Sequence, residues 1–582
     1  MRTTARADWF QPAAVFLGVL FTLGISGCGG SGHQLPPAPQ ASQKQPAKPT
    51  APPPADQSPA DKTASQASTQ TTAPQQAKLA LGRRLFQRHC AGCHGPSGDG
   101  QGPAARFLFP KPRNFRRAKF RIVTTENKVP SDEDLLHVIS EGMPGSAMVP
   151  FRHLSKDQRL ALVAYVRHLS REGIAEQIRK LFEEQDEELD PKELAQHVAR
   201  ATTPGKPLQL PAEAAQQDAQ AVARGKELYF KQGCHSCHGE TGRGDGVKKQ
   251  FDDDGTPNSP RDYTRGIFKG GRQLRQLYAR ILLGMPGSPM PASPNLKPQE
   301  ILDMARFIDS LSPPEATEKV QHRRQHLVAK RVSKPVGDGT DPALWEGVPA
   351  VRITLTPLFW RNYPEPDLHL QAVHDGKHLA VRLVWNDATR NDQAVRPQDF
   401  EDMVALQWFR GEEEPFLGMG ALESGCQVES WLWRASWQVR SRRPQDVETV
   451  HPNLVVDYYP FAKRKGSYAI QDQPKEFLTA AAVGNPHAVL KPPGAASAVT
   501  AQGVGSITFL PPVAQNVRGQ GVWQQGRWSV VLVRPLGQSA QAPVAIHPGQ
   551  RLSLAVAVWD GEYRDRNGQK LVSIWHELEL EK

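Results

Sequence analysis

The chain has 582 residues, too many for a single hydrophobic core, because such cores rarely grow beyond roughly 250 residues. Its 51 prolines and 48 glycines are partly concentrated in tails and connections, which excludes a uniform globular enzyme. The formal net charge is +11, but the basic residues are scattered and form no stripe with interleaved aromatic side chains, so nucleic-acid binding is not indicated. A surface that attracts acidic protein partners explains the charge better, because complementary charge mainly speeds encounter.

The N-terminus has the features of an export signal. Arg2 and Arg6 precede a short apolar segment, Ala13–Ile25, which leads through small residues to Cys28. That segment is too short for an ordinary membrane-spanning helix. The residues around Cys28 resemble the lipobox of bacterial lipoproteins, so we predict that 1–28 is a lipoprotein signal peptide with Cys28 as the lipidated residue. A plain secretory signal with an incidental cysteine is the alternative. The lipoprotein interpretation implies an exported chain in the cell envelope or periplasm, anchored to a membrane by lipid.

Residues 29–77 are predicted to form a disordered tether. They consist mainly of Pro, Ala, Gln, Ser and Thr, with almost no large apolar residue. Such a segment cannot bury enough apolar surface to offset the entropy lost on ordering. Its expected function is to hold the folded domains away from the membrane.

The middle of the chain contains an internal repeat. A Cys-x-x-Cys-His-Gly motif begins at Cys90 and again at Cys234, and a Gly-Met-Pro-Gly-Ser-x-Met segment begins at Gly142 and again at Gly284. Each methionine segment precedes an amphipathic helix. One helix opens with a capping box and the other with a proline in its first turn. The predicted boundaries are 78–171 and 222–314 for two copies of one helical domain, and 172–221 for a charged helical linker.

Beyond about Lys319 the pattern becomes strand-like. Apolar and polar residues alternate in several short runs, such as Leu379–Trp385 and Leu552–Val558, with turn signals between them. Several such runs imply a sandwich or a barrel, and we predict an all-β antiparallel sandwich over 320–582. The predicted fold class is therefore multidomain, with two all-α domains followed by an all-β domain.

The two CxxCH motifs predict covalently bound haem. Two cysteines at this spacing form thioethers with the haem vinyl groups, and the adjacent histidine reaches the iron as its fifth ligand. A zinc site would use the four cysteines together, and a thioredoxin-like pair would need no histidine, whereas each pair here has its own histidine and its own repeat. We therefore predict two haem c groups. The residues expected to bind them are Cys90, Cys93, His94, Cys234, Cys237 and His238.

Methionine is the expected sixth ligand of both irons, because a thioether suits low-spin iron and raises its reduction potential. Each repeat offers two candidates, and the residues alone leave the choice open. With these motifs, residues 78–170 and 222–312 resemble class I cytochrome c domains. The resemblance implies that the second methionine of each segment is the ligand, which gives Met148 and Met290. The first domain departs slightly from the family pattern, since Val149 separates Met148 from the following proline.

The C-terminal region has its own resemblance, carried by several dispersed motifs. They include Asp341–Ala350, His374–Trp385, Phe400–Gln407 and Trp431–Trp437. In these motifs the region is similar to the haem-binding subunit family of ethylbenzene dehydrogenase. The resemblance implies a β-sandwich that binds one haem b non-covalently through methionine and lysine, as the electron-carrying γ subunit of a periplasmic molybdenum enzyme.

The same resemblance implies Met419 and Lys570 as the ligands of the haem b iron. A lysine ligand must lose its proton, which requires an apolar, desolvated site. From the residues alone, Lys570 would be an exposed hairpin lysine. The competing ligands are the histidines of this region, namely His374, His378, His451, His487, His547 and His576.

Together these features predict an electron-transfer protein without substrate turnover of its own. Its expected partners are an oxidoreductase catalytic subunit, a soluble or membrane cytochrome, and the membrane itself. One alternative is a multi-haem peroxidase or small-molecule oxidase with an open haem iron. Another is a dihaem cytochrome with a haem-free binding module, whose contact residues would be Trp345, Trp360 and Trp523.

Overall fold

The structure is a computed structural model that describes residues 73–215, 219–361, 364–419, 427–442, 445, 447–451, 453, 494–537 and 542–582. The predicted signal peptide, its Cys28 and the tether up to residue 72 lie outside the described residues. Among the residues described, no helix is both long enough and apolar enough to cross a membrane.

The first helical domain is built on two long helices that cross closely. Its elements are α1 (Ala73–His89), α2 (Ala91–His94), α3 (Asp132–Glu141) and α4 (Lys156–Glu184). The predicted capping box of α4 is present, because Ser155 and Gln158 exchange hydrogen bonds between side chain and backbone. Helix α1 approaches α4 at Gly82, where an added Cβ would lie 2.1 Å from the carbonyl oxygen of Ala161.

Two boundaries differ from the sequence-based ones. Helix α1 begins at Ala73, so the tether predicted to end at residue 77 stops earlier; residues 73–78 are Ala, Pro, Gln and Lys, most of which favour helix. The linker is helical as predicted, with α4 extending to Glu184 and followed by α5 (Pro191–Thr202). It is not a free spacer, because it returns to the first domain, where the Leu208 amide donates to the Thr124 carbonyl at 2.8 Å.

The second helical domain repeats this arrangement. Its helices are α6 (Ala221–Lys231), α7 (His235–His238), α8 (Leu274–Leu283), α9 (Pro298–Ser310) and α10 (Pro314–Val320), with a small hairpin of β1 (Gln250–Phe251) and β2 (Pro257–Asn258). Gly225 repeats the role of Gly82, since an added Cβ would lie 2.1 Å from the Asp303 carbonyl oxygen. Each helical copy therefore depends on one glycine contact, between α1 and α4 in the first copy and between α6 and α9 in the second.

The C-terminal domain is a β-sandwich. Its strands are β3 (His326–Arg331), β4 (Val351–Ile353), β5 (Thr356–Pro357), β6 (Leu368–His374), β7 (His378–Asn386), β8 (Met403–Phe409), β9 (Val428–Arg434), β10 (Ala496–Ala501), β11 (Thr508–Phe509), β12 (Arg518–Gln524), β13 (Arg527–Pro535), β14 (Arg551–Trp559), β15 (Leu571–Val572) and β16 (His576–Leu580). Two short helices, α11 (Ala435–Arg442) and α12 (Val447–Val450), follow β9.

The strands form two sheets joined through β3. One sheet runs in the order β11-β10-β9-β8-β14-β16 and the other in the order β6-β7-β13-β12, while β4, β5 and β15 extend the edges. The sheets face each other through tryptophans: Trp433 of β9 lies 4.9 Å from Trp528 of β13, between ring centroids. The predicted fold class is thus confirmed.

The sandwich departs from the prediction in one respect, because it is not entirely antiparallel. Strand β3 pairs in parallel with both β16 and β6. It precedes both neighbours in the chain and bridges the two sheets. Alternation of apolar residues reports which face of a strand is buried but not which strand lies beside it, so the sequence pattern could not reveal this pairing.

Candidate haem-binding sites

The first CxxCH motif lines an apolar cavity in the first helical domain. Helix α1 ends at His89, and the short helix α2 with its N-cap Cys90 follows, which places Cys90, Cys93 and His94 on the cavity wall. Met148 lies on the same wall, contributed by the loop between α3 and α4. Three predicted haem-binding residues and the predicted distal ligand are therefore brought together around one cavity.

His94 is held in the form that binds a metal. Its Nδ1 donates to the carbonyl oxygen of Arg113 at 2.9 Å, since a carbonyl can only accept, and this leaves the Nε2 lone pair available. Phe115 stacks on the imidazole with 4.4 Å between ring centroids. Burial lowers the pKa of His94 to about 4, so the ring is neutral at physiological pH.

The distal methionine is presented by a tight loop. The Met143 amide donates to the Met148 carbonyl at 2.8 Å, and Gly142 and Gly145 have φ angles of 70° and 72°, which only glycine adopts readily. Met143 also lines the cavity, so the choice of Met148 still depends on the resemblance to cytochromes c.

The second CxxCH motif has similar surroundings, except that His238 Nδ1 has no hydrogen-bond partner among the described residues, whereas His94 Nδ1 has one. His238 stacks on Tyr263, the counterpart of Phe115, with 5.2 Å between ring centroids. Burial lowers the pKa of His238 to about 4. The amide of Met285 donates to the carbonyl of Met290 at 3.2 Å, which closes the same type of loop. Met285 is buried and Met290 is half-buried. The predicted ligands of this domain are thus carried by equivalent elements.

Met419 and Lys570 line one cavity of about 610 Å³ in the β-sandwich domain. The cavity wall is mostly apolar, and burial lowers the pKa of Lys570 to about 8. The Lys570 Nζ lies 4.8 Å from the ring centroid of Trp559. Met419 has a φ angle of 73°, a conformation that costs a non-glycine residue about 1–3 kcal/mol and often marks a functional position.

Among the residues that the structure describes, Lys570 has no anionic partner in this cavity. The three carboxylates on the wall are each paired with an arginine, in the pairs Asp399–Arg396, Glu401–Arg434 and Asp565–Arg361. None of the described histidines lines the cavity. His576, a competing candidate, instead accepts a hydrogen bond at Nδ1 from the Gln325 amide. Of the competing histidines, His487 lies outside the described residues.

The sandwich cavity borders the first CxxCH motif. Cys93, Ala147 and Val149 of the first helical domain also line the cavity of Met419 and Lys570. Phe416 lines both cavities, and an added Cβ on Gly92 would lie 2.7 Å from its ring. The sequence carries no local signal for this role of Phe416, because the role arises only where the two domains meet.

The three tryptophans considered for a binding surface do not form one. Trp345 and Trp360 are buried, and Trp345 donates from Nε1 to the Gly339 carbonyl at 2.9 Å. Trp523 is partly buried and donates to the Asp387 carbonyl at 3.0 Å. Trp345 and Trp523 pack within the sandwich and the Trp360 ring lies under Arg261, so the three side chains form no exposed aromatic platform.

The family comparisons divide the chain in the same way. The cytochrome c family model matches residues 79–170 and 222–312, and the ethylbenzene dehydrogenase family model matches residues 342–571.

Three curated relatives share about a quarter of their residues with this chain. The candidate respiratory nitrate reductase haem subunit ORF7 of Haloferax mediterranei is 25% identical over 238 residues, which are 40% of this chain and 64% of the relative. The chlorate reductase subunit gamma of Ideonella dechloratans is 25% identical over 254 residues, covering 42% of this chain and 80% of the relative. The dimethylsulfide dehydrogenase subunit gamma of Rhodovulum sulfidophilum is 24% identical over 250 residues, covering 40% and 71%. The match thus spans less than two thirds of the first relative.

Proposed function

Because the chain joins two cytochrome c domains to a domain of the ethylbenzene dehydrogenase family, we propose that it is the haem-carrying, γ-type subunit of an oxidoreductase complex. In this role it transfers electrons between a catalytic subunit, of the molybdenum type, and a cytochrome or membrane acceptor. Two relatives are named gamma subunits, of chlorate reductase and of dimethylsulfide dehydrogenase, which supports a catalytic-subunit partner.

One observation carries the proposal: the cavity that contains Met419 and Lys570 shares Phe416 and Cys93 with the first CxxCH site. Haem iron with two protein ligands supplies one-electron exchange without binding a substrate. Lys570 and Met419 offer two donors to one iron, and His94 with Met148 offers two to the next. The apolar walls exclude water, and the shared residues keep the two sites adjacent. These are the properties of an electron-transfer chain rather than of a substrate pocket.

Haem content tests the proposal directly. We expect two haem c and one haem b per purified chain in a pyridine haemochrome assay. Lys570→Ala and Met419→Ala should each lower haem b while leaving two haem c, because the covalent sites lie in other domains. Lys377→Ala, which removes an exposed lysine of the same sandwich, is the matched control.

Two results would contradict the haem assignment. Two haem c without haem b would support a haem-free sandwich, and full haem b in both variants would exclude Met419 and Lys570 as ligands.

Carbon monoxide added to the reduced protein distinguishes an electron carrier from an enzyme with an open haem iron. A shifted Soret band would reveal an open iron and favour a peroxidase or oxidase, whereas an unchanged band supports the carrier.

We also propose that the chain is exported and held at a membrane by lipid on Cys28. The support is the sequence around Cys28, which resembles a lipobox. A Cys28→Ser variant should leave the membrane fraction while it keeps its haem c. Retention of the variant on the membrane after a high-salt wash would contradict the anchor.

A further inference from the structure

Four cationic side chains converge where the two cytochrome c domains meet. Arg113 and Arg121 come from the first domain, and Arg261 and Lys269 come from the second. All four line the cavity that contains the first CxxCH motif. The second domain therefore contributes part of the wall of the first domain's haem cavity.

The four residues are two repeat-equivalent pairs. Arg261 follows Arg113, and Lys269 follows Arg121, by the same number of residues along the chain. Each arginine also reaches the methionine loop of the other domain. An added Cβ on Gly145 would lie 2.5 Å from Arg261 Nε, and one on Gly287 would lie 2.9 Å from Arg113 Nη1. The contact is thus approximately two-fold symmetric.

The cluster contains more positive than negative charge. Arg121 forms an ion pair with Asp252, and both side chains are less than 10% exposed. Arg261 is 3% exposed, and its Nε and Nη2 have no hydrogen-bond partner among the described residues. Lys269 is half-buried on the same wall. Buried cationic nitrogens without partners are costly, so an anion beside Arg261 would be stabilised.

The geometry fixes Arg261 before any anion is bound. Its guanidinium lies over the Trp360 ring, 4.0 Å from the centroid, and its Nη1 donates to the Ser259 carbonyl at 3.0 Å. Two nitrogens of the same planar group stay free, and a guanidinium matches a carboxylate with paired donors. Burial, with Arg121 nearby, lowers the pKa of Arg261 to about 9, as expected for a cation that still lacks a counter-charge.

We propose that Arg261 and Lys269 of the second cytochrome c domain bind the propionates of the haem held by the first domain. The inference rests on the proposed function only in requiring haem c at Cys90 and Cys93. Haem brings two carboxylates into this cavity, and these four cations are among the five Lys and Arg side chains on its wall. The fifth, Lys111, donates to the Ala105 carbonyl at 2.9 Å. The haem site of the first domain is therefore completed by the second.

The experiment uses the full-length holoprotein and two variants, Arg261→Gln and Lys269→Met. Removing a positive charge beside the propionates favours the ferric state. Each variant should therefore shift the equilibrium between ferrous and ferric haem c in the first domain about tenfold toward the ferric form. This corresponds to a fall in its reduction potential of about 59 mV for one electron. Spectroelectrochemical titration measures this shift. Arg275→Gln, which removes an exposed arginine of the same domain, should leave both haem c potentials unchanged.

Two further measurements assign the effect. A Met148→His variant changes the axial ligand of the first-domain haem, so it identifies which potential belongs to that haem. Redox-induced infrared difference spectra report the propionates themselves, and Arg261→Gln should move their carboxylate bands. Arg261→Lys, which keeps the charge but not the paired donors, should give a smaller potential shift than Arg261→Gln.

The outcomes separate this proposal from the proposed function. If both haem c groups are present and the first-domain potential moves in neither variant, the propionate contact is refuted while the electron-transfer role stands. A shift confined to the second-domain haem would also refute it. A chain without covalent haem would refute the proposed function, and this proposal with it.

Discussion

At the residue scale, Asp402 is a buried carboxyl group of the sandwich that keeps its proton to an unusually high pH. Its side chain is fully buried and accepts hydrogen bonds from Trp528 Nε1 at 3.0 Å and from the backbone of Asn391 and Gly561. Burial, and then the neighbouring Asp387, raises the pKa of Asp402 to about 8. Burial, and then Asp560, raises the pKa of Asp387 to about 6. Both exceed the value of about 3.9 for an unfolded aspartate.

The sign of the resulting pH dependence follows from these shifts. A group with a raised pKa binds more protons in the folded state, so its stabilising effect is complete below the unfolded pKa. That effect is lost as the pH rises through the folded values near 6 and 8. We expect the free energy of unfolding of the sandwich to fall between pH 5 and pH 9. In Asp387→Asn the fall should be smaller, because Asp402 loses its charged neighbour.

Chemical denaturation followed by tryptophan fluorescence measures the free energy of unfolding of the sandwich. The signal is specific to this domain, because every tryptophan except Trp9 lies in the range from Trp345 to Trp575. Glu346→Gln, at an exposed position of the same domain, is the control. If the free energy of unfolding depends on pH equally in the wild type and in Asp387→Asn, the carboxyl pair does not govern the stability of the sandwich.

Individual site residues differ in how far the sequence could predict them. The CxxCH chemistry lies within five residues, so covalent haem could be predicted from Cys90–His94 without any tertiary information. Lys570 was different, because its value as a ligand depends on a cavity formed by distant strands. Arg261 and Phe416 carried no signal, since their roles arise only where one domain meets another.

At the scale of elements, the methionine loops show what local sequence can specify. Both loops place glycines at positive φ, with Gly142 and Gly145 in one copy and Gly284 and Gly287 in the other. In each, the first methionine amide bonds to the second methionine carbonyl. These contacts are local, so repetition of the sequence was sufficient to predict repetition of the structure.

Elements whose neighbours are distant in sequence were predicted less completely. The alternation that predicted strands gave no information on β3, whose parallel partners β16 and β6 lie far along the chain. The linker was predicted as helical from its composition, but its return to the first domain depends on single backbone contacts, such as that between Leu208 and Thr124. The sequence therefore predicted that the linker is helical but not where it packs.

At the scale of the whole molecule, the sites form an ordered series. The sandwich cavity shares its wall with the first CxxCH site, and the cavity of that site reaches Arg261 and Lys269 of the second cytochrome c domain. The cavity of the first site thus adjoins both the sandwich cavity and the second domain, while the second domain also contacts the sandwich away from these cavities, for example through the ion pair of Arg265 with Glu365. Electrons that enter at the sandwich should reach the second domain through the first.

This order predicts that the first haem c is indispensable for transfer. A Cys90→Ala/Cys93→Ala variant, which loses the first covalent haem, should deliver electrons from the sandwich to the second domain slower by orders of magnitude. A photoreductant attached to a Lys377→Cys variant would start the transfer, and transient absorption of the second haem c would record its arrival. Equal arrival rates with and without the first haem would contradict the series.

The contact between Gly92 and Phe416 makes the two copies of the repeat sterically different. The second of the two positions between the cysteines is Gly92 in the first copy and Ser236 in the second. An added Cβ on Gly92 would lie 2.7 Å from the Phe416 ring, so a serine there would collide with the sandwich. The two copies, although built alike, are not interchangeable. A single residue between the two cysteines therefore decides which copy of the repeat can pack its haem-binding motif against Phe416 of the sandwich.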